Sequence, residues 1–398
     1  MSLHSLPYDL TCHLTNYFPL YELFSLASTS SYFNEIMSKD EFWRLKCKNK
    51  KNEDQTWKRF YILNSLKTYT FGNNTYSQLG STNGEQIRIN EVFHEVNSYI
   101  GVFEPTLLSD FKFRDIAVSR HMIAIDIDNN LWVCGLNASS QLGLGHNSVI
   151  STPTRLHTEF RAKSVAAGFN HSAIIDTDNN LWMFGCNKHG QLGLNSCTSK
   201  FNTPKKISYP KCQQISLGCS HSVLIDMENN VWTCGNSTHG KLGLNYYNDR
   251  ICFERIKGHK AKQISAGVNH TAMIDMDNNV WLFGKYQNKE SNFPIQLEGI
   301  KAKYVSSGLK HIAIIDMADN VLMIGEYYAK VSNLKVKQVA TGDIHTVIID
   351  LDDNVWTFGS NSYGQLGVKR ITEQAYRIPN LKAFKIAAGD QSTTIISV

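Results

Sequence analysis

The stretch SVAAGFNHSAIIDTDNNLWMFGCNKHGQLGLN, residues Ser164 to Asn195, is the clearest copy of a repeat that fills most of this chain. It holds two short apolar runs on either side of His171, then an Asp/Asn cluster, Trp182 and a Gly-Gln-Leu-Gly ending. Short apolar runs punctuated by Gly, Asn and Asp are typical of β-strands joined by tight turns. The apolar residues do not recur at the spacing of three and four that a helical repeat needs.

The same pattern returns along the chain, and we number repeats 1 to 6 by their histidines. These are His121, His171, His221, His270, His311 and His345. A tryptophan follows eleven residues later in five of them, with Leu322 in its place in repeat 5. These are Trp132, Trp182, Trp232, Trp281 and Trp356. The intervals between histidines, 50, 50, 49, 41 and 34 residues, suit three or four strands per repeat.

A seventh copy is divided between the two ends of the repeat region. Its first half runs from Lys385 to Val398, with Ser392 in the place of the histidine. Its second half begins at Tyr69 and ends in Gln78-Leu79-Gly80. A repeat divided in this way makes sense if the ends meet to complete one unit. The sequence therefore predicts an all-β, seven-bladed propeller over residues 67–398, closed by strands from both ends.

The repeat, A-G-x-x-H-[ST]-x-x-I-D followed by V-W-x-F-G-x-N-x-x-G-Q-L-G, resembles that of the regulator of chromosome condensation family. Its ending is kept almost intact after Gln78, Gln141, Gln191 and Gln365. Repeats 4 and 5 lose it, between Lys285 and Ser291 and between Glu326 and Ser332. Those two blades are expected to lack an outer strand or to have altered loops.

Composition and charge exclude several functions. The net charge of +5 is too small to indicate nucleic-acid binding. The nine cysteines show no spacing suited to zinc, and the side chains of Cys134 and Cys234 are expected to be buried in the fold. The cysteine pattern fits a protein in a reducing, intracellular compartment, cytoplasmic or nuclear. No apolar stretch is long enough to span a bilayer. The absence of a nucleophile–base, paired-carboxylate or phosphate-loop signature predicts a protein that is not an enzyme and needs no cofactor or metal.

Alternating strand direction assigns residues to two faces of the propeller. The upper face carries the G-x-x-H turns and the loops that end in Gln-Leu-Gly, and the lower face carries the Asp/Asn turns. Basic residues on the lower face could form a cationic ring, but aspartates arrive on the same face, so a mixed-charge face with ion pairs is favoured. The basic residues are Lys112, Arg161, Lys211, Lys260, Lys301, Lys335 and Lys382, and the aspartates are Asp126, Asp176, Asp226, Asp275, Asp316 and Asp350.

The recurring side chains have structural interpretations. Asp126-x-Asp128-x-Asn130 starts like a calcium loop, but Leu131 occupies the glycine position, which favours a turn stabilised by the aspartate. The histidines lie on separate blades, too far apart for one metal ion, and are expected to hydrogen-bond to backbone within or between blades. The tryptophans are expected to be packing anchors.

Residues 1–62 have a different character and are predicted to be a small helical domain. Leu6-Pro7, the aliphatic residues of Leu20–Ala27 and the Phe42-Trp43-Arg44-Leu45 ending resemble an F-box. The resemblance implies binding to a Skp-type adaptor and, through it, a cullin-based ubiquitin ligase. The candidate contacts are Leu6, Pro7, Leu10, Leu14, Leu23, Leu26 and Trp43. A helical cap on the propeller, without a partner, is the alternative.

Together the two resemblances imply a substrate-recognition adaptor whose propeller binds an unknown substrate protein. Upper-face residues at variable positions are the candidates for that contact: Tyr76, His189, His239, Tyr286, Tyr327, Tyr328 and Tyr363. The alternative is guanine-nucleotide exchange on a Ran-like small GTPase, or chromatin binding. No inserted hairpin of the kind used for exchange is evident in repeats 2 to 6. A scaffold whose F-box no longer engages a ligase is a third interpretation.

Overall fold

The structure is a computed structural model that describes residues 66–81, 85–88, 98–325, 334–369 and 374–397. The predicted helical domain, all seven F-box candidates, Tyr327 and Tyr328 lie outside the described residues. No α-helix occurs in the described part of the chain, where a 3-10 turn at Thr238–Gly240 is the one helical element. Accordingly, no helix in that part is long and apolar enough to cross a membrane.

The described strands follow one another in short runs. The first eleven are β1 (Lys67–Asn73), β2 (Glu85–Arg88), β3 (Ser98–Leu107), β4 (Phe113–Val118), β5 (His121–Asp126), β6 (Leu131–Gly135), β7 (Ile150–Leu156), β8 (Ala162–Ala167), β9 (His171–Asp176), β10 (Leu181–Cys186) and β11 (Lys200–Lys206). Repeats 3 to 5 contain β12 (Cys212–Leu217), β13 (His221–Asp226), β14 (Asn230–Gly235), β15 (Arg250–Ala266), β16 (His270–Asp275), β17 (Asn279–Tyr286), β18 (Lys289–Ser307), β19 (His311–Asp316) and β20 (Val321–Gly325). The last six are β21 (Val336–Thr341), β22 (His345–Asp350), β23 (Asn354–Gly359), β24 (Tyr376–Lys382), β25 (Lys385–Ala388) and β26 (Ser392–Ser397).

Each complete repeat is an antiparallel sheet of an inner, a second, a third and an outer strand. Repeats 1, 2 and 6 form the separate sheets β4 to β7, β8 to β11 and β21 to β24. In repeats 3 to 5 the long strands β15 and β18 each serve as the outer strand of one repeat and the inner strand of the next, which joins β12 to β20 into one sheet.

Repeats 4 and 5 are the irregular ones, as their sequences indicate. In repeat 4 a tight turn replaces the long loop, because Tyr286 pairs with Lys289 across it. The described part of repeat 5 has three strands, β18, β19 and β20, followed by a single bridge between Asn320 and Lys335.

The two ends of the repeat region pair with each other. β1 lies antiparallel to β26, from Lys67 opposite Ser397 to Gly72 opposite Ser392. β25 and β26 thus supply the inner and second strands of repeat 7, and β1 and β3 supply the third and outer strands. β2 adds a further edge strand from the segment between Ser81 and Asp110, which the repeat pattern did not predict.

Neighbouring sheets pack face to face. The inner strands contact one another in the order β4, β8, β12, β15, β18, β21 and β25, and β25 also contacts β4. Between repeats 1 and 2, Ile123 and Ile125 of β5 share one apolar cluster with Ile174 and Phe184. A sheet that is covered on both faces explains why strands such as β9, HSAIID, are buried throughout instead of alternating with polar residues.

Candidate interaction faces

The marker histidines connect each repeat to the next. His171 Nε2 lies 3.1 Å from Ser222 Oγ, and the Ser222 hydroxyl donates to the Gln191 carbonyl at 2.6 Å. Because the hydroxyl proton is used for that carbonyl, the imidazole donates its Nε2–H to the hydroxyl oxygen. The same histidine–hydroxyl contact joins His121 to Ser172 at 2.6 Å, and His221 to Thr271, His311 to Thr346 and His345 to Thr393 at 2.9 Å each.

The expected contacts between repeats are present, and the partners at Nε2 are hydroxyl groups of the following repeat rather than backbone groups. A signal for this was present, because Ser or Thr follows His171, His221 and His345 directly. Burial holds these rings neutral, lowering the pKa of His171 to about 4 and that of His345 to about 3.

The glycine of the G-x-x-H turn makes room for this ring. A Cβ on Gly168 would lie 2.5 Å from His171 Cε1 and 2.7 Å from the Gly218 carbonyl oxygen of the next repeat. Any larger residue would have to push two repeats apart. Among the described residues no three His, Cys, Asp or Glu side chains are grouped so that they could hold a metal ion.

On the lower face each strand-end aspartate organises its own turn. Asp176 Oδ1 accepts the N–H groups of Asp178 and Asn180, and Oδ2 accepts Trp182 Nε1–H at 2.9 Å. Burial alone would raise the pKa of Asp176, but the hydrogen bonds from Trp182 and Asn180 outweigh it and lower the pKa. Trp182 is half-buried and stacks on Phe160 with ring centroids 4.2 Å apart. The other repeat tryptophans are half-buried as well, so they pack near the surface and not in the centre of the core.

The basic residues of the lower face bind the same turns. Lys211 Nζ donates to the Asp178 carbonyl at 3.1 Å, and Lys163 Nζ donates to Asn179 Oδ1 at 2.7 Å. Lys303 forms an ion pair with Asp319 at 2.6 Å. The lower face is thus of mixed charge, as expected. The lysines donate to carbonyls and to residues at the turn tips, and Lys335 and Lys337 also interact with the charges of the strand-end Asp316 and Asp350.

On the upper face the substrate candidates of four repeats occupy one equivalent position, the tip of the long loop. The glutamine two residues later folds back onto the tip, as Gln78, Gln191 and Gln365 accept the backbone N–H of Tyr76, His189 and Tyr363. His189 and His239 each contact a carboxylate further along the chain, Asp249 at 2.9 Å and Glu290 at 3.0 Å.

Tyr286 differs from the other candidates because it is 7% exposed. It ends β17 immediately before the tight turn of repeat 4 and packs in the apolar cluster that contains Leu282 and Val305. Tyr286 is therefore not at an exposed loop tip, because no long loop lifts it away from the sheet, and its part in substrate binding stays a prediction.

The pocket lined by the ends of the inner strands holds a charged group that the sequence analysis missed. Arg120 Nε contacts Asp390 Oδ2 at 2.8 Å, and its guanidinium lies 4.8 Å from the centre of the Phe169 ring. Burial and a hydrogen bond with Asp390 raise the pKa of Asp343. The sequence signal for this charged group was the Gly-Asp pair at 342–343 and again at 389–390, because repeats 2 to 5 have Phe, Cys, Val and Leu after the equivalent glycine.

Comparison with known families assigns the two parts of the chain. Residues 128–175, 178–225, 228–274 and 352–396 match the regulator of chromosome condensation (RCC1) repeat, and a second description of that repeat matches 162–191 and 336–365. Residues 3–45 match the F-box domain. No curated protein matches this chain in sequence.

Solved structures show the same fold. Human WBSCR16 is 18% identical, with a TM-score of 0.74 over 84% of this chain and 99% of its own. Prp20p from Saccharomyces cerevisiae, described with its binding properties to Gsp1p and histones, is 20% identical, with a TM-score of 0.72 over 84% of this chain and 92% of its own. Yeast RCC1 (Prp20) with Kap60 bound is 18% identical, with a TM-score of 0.70 over 84% of this chain and 89% of its own. At these identities the likeness shows an RCC1-type β-propeller and nothing finer.

Proposed function

Because this chain belongs to the proteins built from regulator of chromosome condensation (RCC1) repeats and carries an F-box domain, we propose that it selects substrates for a Skp–cullin–F-box ubiquitin ligase. The observation that carries the proposal is the pairing of these two interaction modules in one chain. The F-box match ends at residue 45 and β1 begins at Lys67, so the domains are assigned to residues 1–62 and 67–398.

We infer that the propeller is a closed ring of seven blades. The cycle of inner-strand contacts that returns from β25 to β4 supports this, as does the pairing of β1 with β26. A ring closed in this way would leave no exposed inner sheet edge and would give the substrate a rigid platform.

The F-box domain would bind the adaptor, and the propeller would bind the substrate. Leu6, Pro7, Leu10, Leu14, Leu23, Leu26 and Trp43 would contact the Skp-type adaptor or support that contact. The propeller would hold the substrate protein through upper-face loops, among which Tyr76, His189, His239 and Tyr363 stand at the tips. The chain would act inside the cell by bringing its substrate close to the conjugating enzyme, and would contribute no chemical step itself.

An affinity pull-down of the full-length chain, read by mass spectrometry, tests the ligase role. The wild type is expected to retain a Skp adaptor and a cullin, and a Leu10→Asp/Leu14→Asp double variant is expected to lose both. Lys188→Glu, on an exposed loop of repeat 2, is the control and should retain them. Equal adaptor recovery with the double variant, still folded by circular dichroism, would refute the role.

Nucleotide exchange on a Ran-like GTPase, or chromatin binding, is the second candidate. The fold that this chain shares with Prp20p, reported with its binding properties to Gsp1p and histones, favours it. A nucleotide-release assay with a Ran-like GTPase tests exchange directly. Faster nucleotide release in the presence of the purified chain would support exchange, and an unchanged release rate would refute it.

A further inference from the structure

A series of exposed apolar side chains lies on the lower face. In repeats 3 to 6 the residue directly after the strand-end aspartate is Met or Leu, and these four residues are 47–53% exposed: Met227, Met276, Met317 and Leu351. In repeat 7 Phe384, directly before β25, is 40% exposed. We call these five residues the apolar arc. Apolar side chains that are exposed as a group, rather than singly, mark an interaction site.

The turns themselves do not require these apolar residues. Thr177 takes the same position in repeat 2, and the turn there forms in the same way, with Asp176 accepting the N–H groups of Asp178 and Asn180. In repeat 1 the equivalent Ile127 packs in the apolar cluster that contains Phe113. The arc is therefore confined to repeats 3 to 7, whose inner strands contact one another in that order.

The N-terminal part of the chain enters the propeller at the same face. β1 takes the place of a third strand, so it begins where the other third strands begin, beside the Asp/Asn turns. The Leu66 carbonyl accepts from Lys112 Nζ, a basic group of the lower face, at 2.6 Å. Residues 1–65 therefore leave from the lower face in repeat 7, with Phe384 in the same repeat and Leu351 in the neighbouring one.

The residues just before this point can reach the arc. Trp57 lies nine residues before Leu66. An extended chain of that length spans about 30 Å, and packed sheets lie about 10 Å apart. The segment 57–65 is thus long enough to pass over repeats 6, 5 and 4, which carry Leu351, Met317 and Met276.

The chemistry of this segment complements the arc. Residues 57–63 read WKRFYIL, with five apolar or aromatic side chains and two adjacent positive charges. Lysines of the lower face such as Lys301 and Lys335 donate to backbone carbonyls of the turns. Exposed acidic side chains directly follow the apolar residue in three repeats of the arc, and they are Glu228, Asp277 and Asp352. The arc thus presents apolar groups beside negative charges, and the segment presents apolar groups beside positive charges.

We propose that the apolar arc is the docking surface for residues 57–63 of this chain. The aromatic and aliphatic side chains of the segment would pack on Leu351, Met317 and Met276, where the flexible methionines adapt to their shape. Docking there would hold the F-box domain at the lower face and leave the upper-face loops accessible to a substrate. This inference goes beyond the ligase role, because it holds whether or not the F-box engages an adaptor.

Limited digestion of the full-length chain with chymotrypsin tests the docking, since this protease cleaves after Trp57, Phe60 and Tyr61. Met317→Lys/Leu351→Lys places two positive charges in the arc, and cleavage within residues 57–61, followed by mass spectrometry, should become at least about tenfold faster. The matched control is a double variant at two equally exposed apolar residues of upper-face loops, Val149→Lys/Tyr247→Lys, and it should be cleaved at the wild-type rate. Equal cleavage of the arc variant and wild type, both folded by circular dichroism, would overturn the proposal.

A spectroscopic readout shows which surface the segment contacts. In a methyl spectrum of ¹³C-methionine-labelled full-length chain, the Met276 and Met317 resonances, identified by their loss in leucine variants, should shift in Trp57→Ala/Phe60→Ala. The shift arises because two aromatic rings no longer lie beside these methyl groups. The resonance of Met183, fully buried in repeat 2, should stay in place. Arc resonances that do not move would overturn the proposal.

A second copy of the chain is the competing occupant of the arc. Light scattering distinguishes it, because docking within one chain predicts the same molar mass for wild type and Met317→Lys/Leu351→Lys. A wild-type dimer that this variant converts to a monomer would overturn the proposal and assign the arc to an interface between copies.

Discussion

At the scale of single residues, the histidine–hydroxyl pairs offer a direct comparison between a satisfied and an unsatisfied imidazole. His311 Nε2 lies 2.9 Å from Thr346 Oγ1, within hydrogen-bond distance, whereas His270 has no partner. We expect His311→Phe to lower the free energy of unfolding by about 1–3 kcal/mol, because it leaves the buried hydroxyl of Thr346 without its hydrogen-bond partner. His270→Phe should leave it unchanged or raise it, since no hydrogen bond is lost and a buried unpaired group is removed. Urea unfolding followed by tryptophan fluorescence measures both, and equal losses would contradict this account of the pairs.

Acid stability also depends on a residue-scale contact, the bond from Trp182 to Asp176. Because the folded-state pKa of Asp176 lies below the unfolded value of about 3.9, its contribution is present above that value and is lost as the pH falls through the folded pKa. Trp182→Phe should therefore reduce the loss of unfolding free energy between pH 5 and pH 3, by less than about 1 kcal/mol, because the bonds from Asn180 and Asp178 to Asp176 remain. Leu322→Phe, in the repeat without the indole, should leave the pH profile unchanged. A profile for Trp182→Phe that parallels wild type would contradict this role.

At the scale of elements, the strands of a regular repeat follow from its sequence, and the junctions between repeats do not. The apolar run, glycine and aspartate of repeat 2 predict β8, β9 and β10 because each signal acts within a few residues. The missing histidine–hydroxyl contact between repeats 4 and 5 depends on two residues in different repeats, His270 and Ile312, whose relation appears only once the sheets are packed. The long strands β15 and β18 were missed for the same reason, since no local signal says that an outer strand continues into the next repeat.

At the scale of the whole molecule, the two ends of the repeat region are joined by non-covalent pairing between β1 and β26. Thr70 of β1 and Thr357 of β23 are equivalent: both are fully buried, and their hydroxyls donate to Leu79 O at 3.1 Å and Leu366 O at 2.8 Å. A proline at either site removes a backbone N–H from a central strand, at a cost of about 3 kcal/mol or more. In repeat 6, however, the paired strands are neighbours along the chain, whereas β1 and β26 come from opposite ends of the repeat region.

We therefore expect Thr70→Pro and Thr357→Pro to differ in where they loosen the fold. Hydrogen exchange in Thr70→Pro should accelerate by at least about a hundredfold over β25 and β26, because losing their partner strand lets the C-terminal strands open without the rest of the ring. In Thr357→Pro the acceleration should be confined to β22, β23 and β24, with β26 exchanging as in wild type. Protection of β26 that survives Thr70→Pro would mean that packing against repeat 1, rather than the pairing with β1, keeps the two ends of the propeller together.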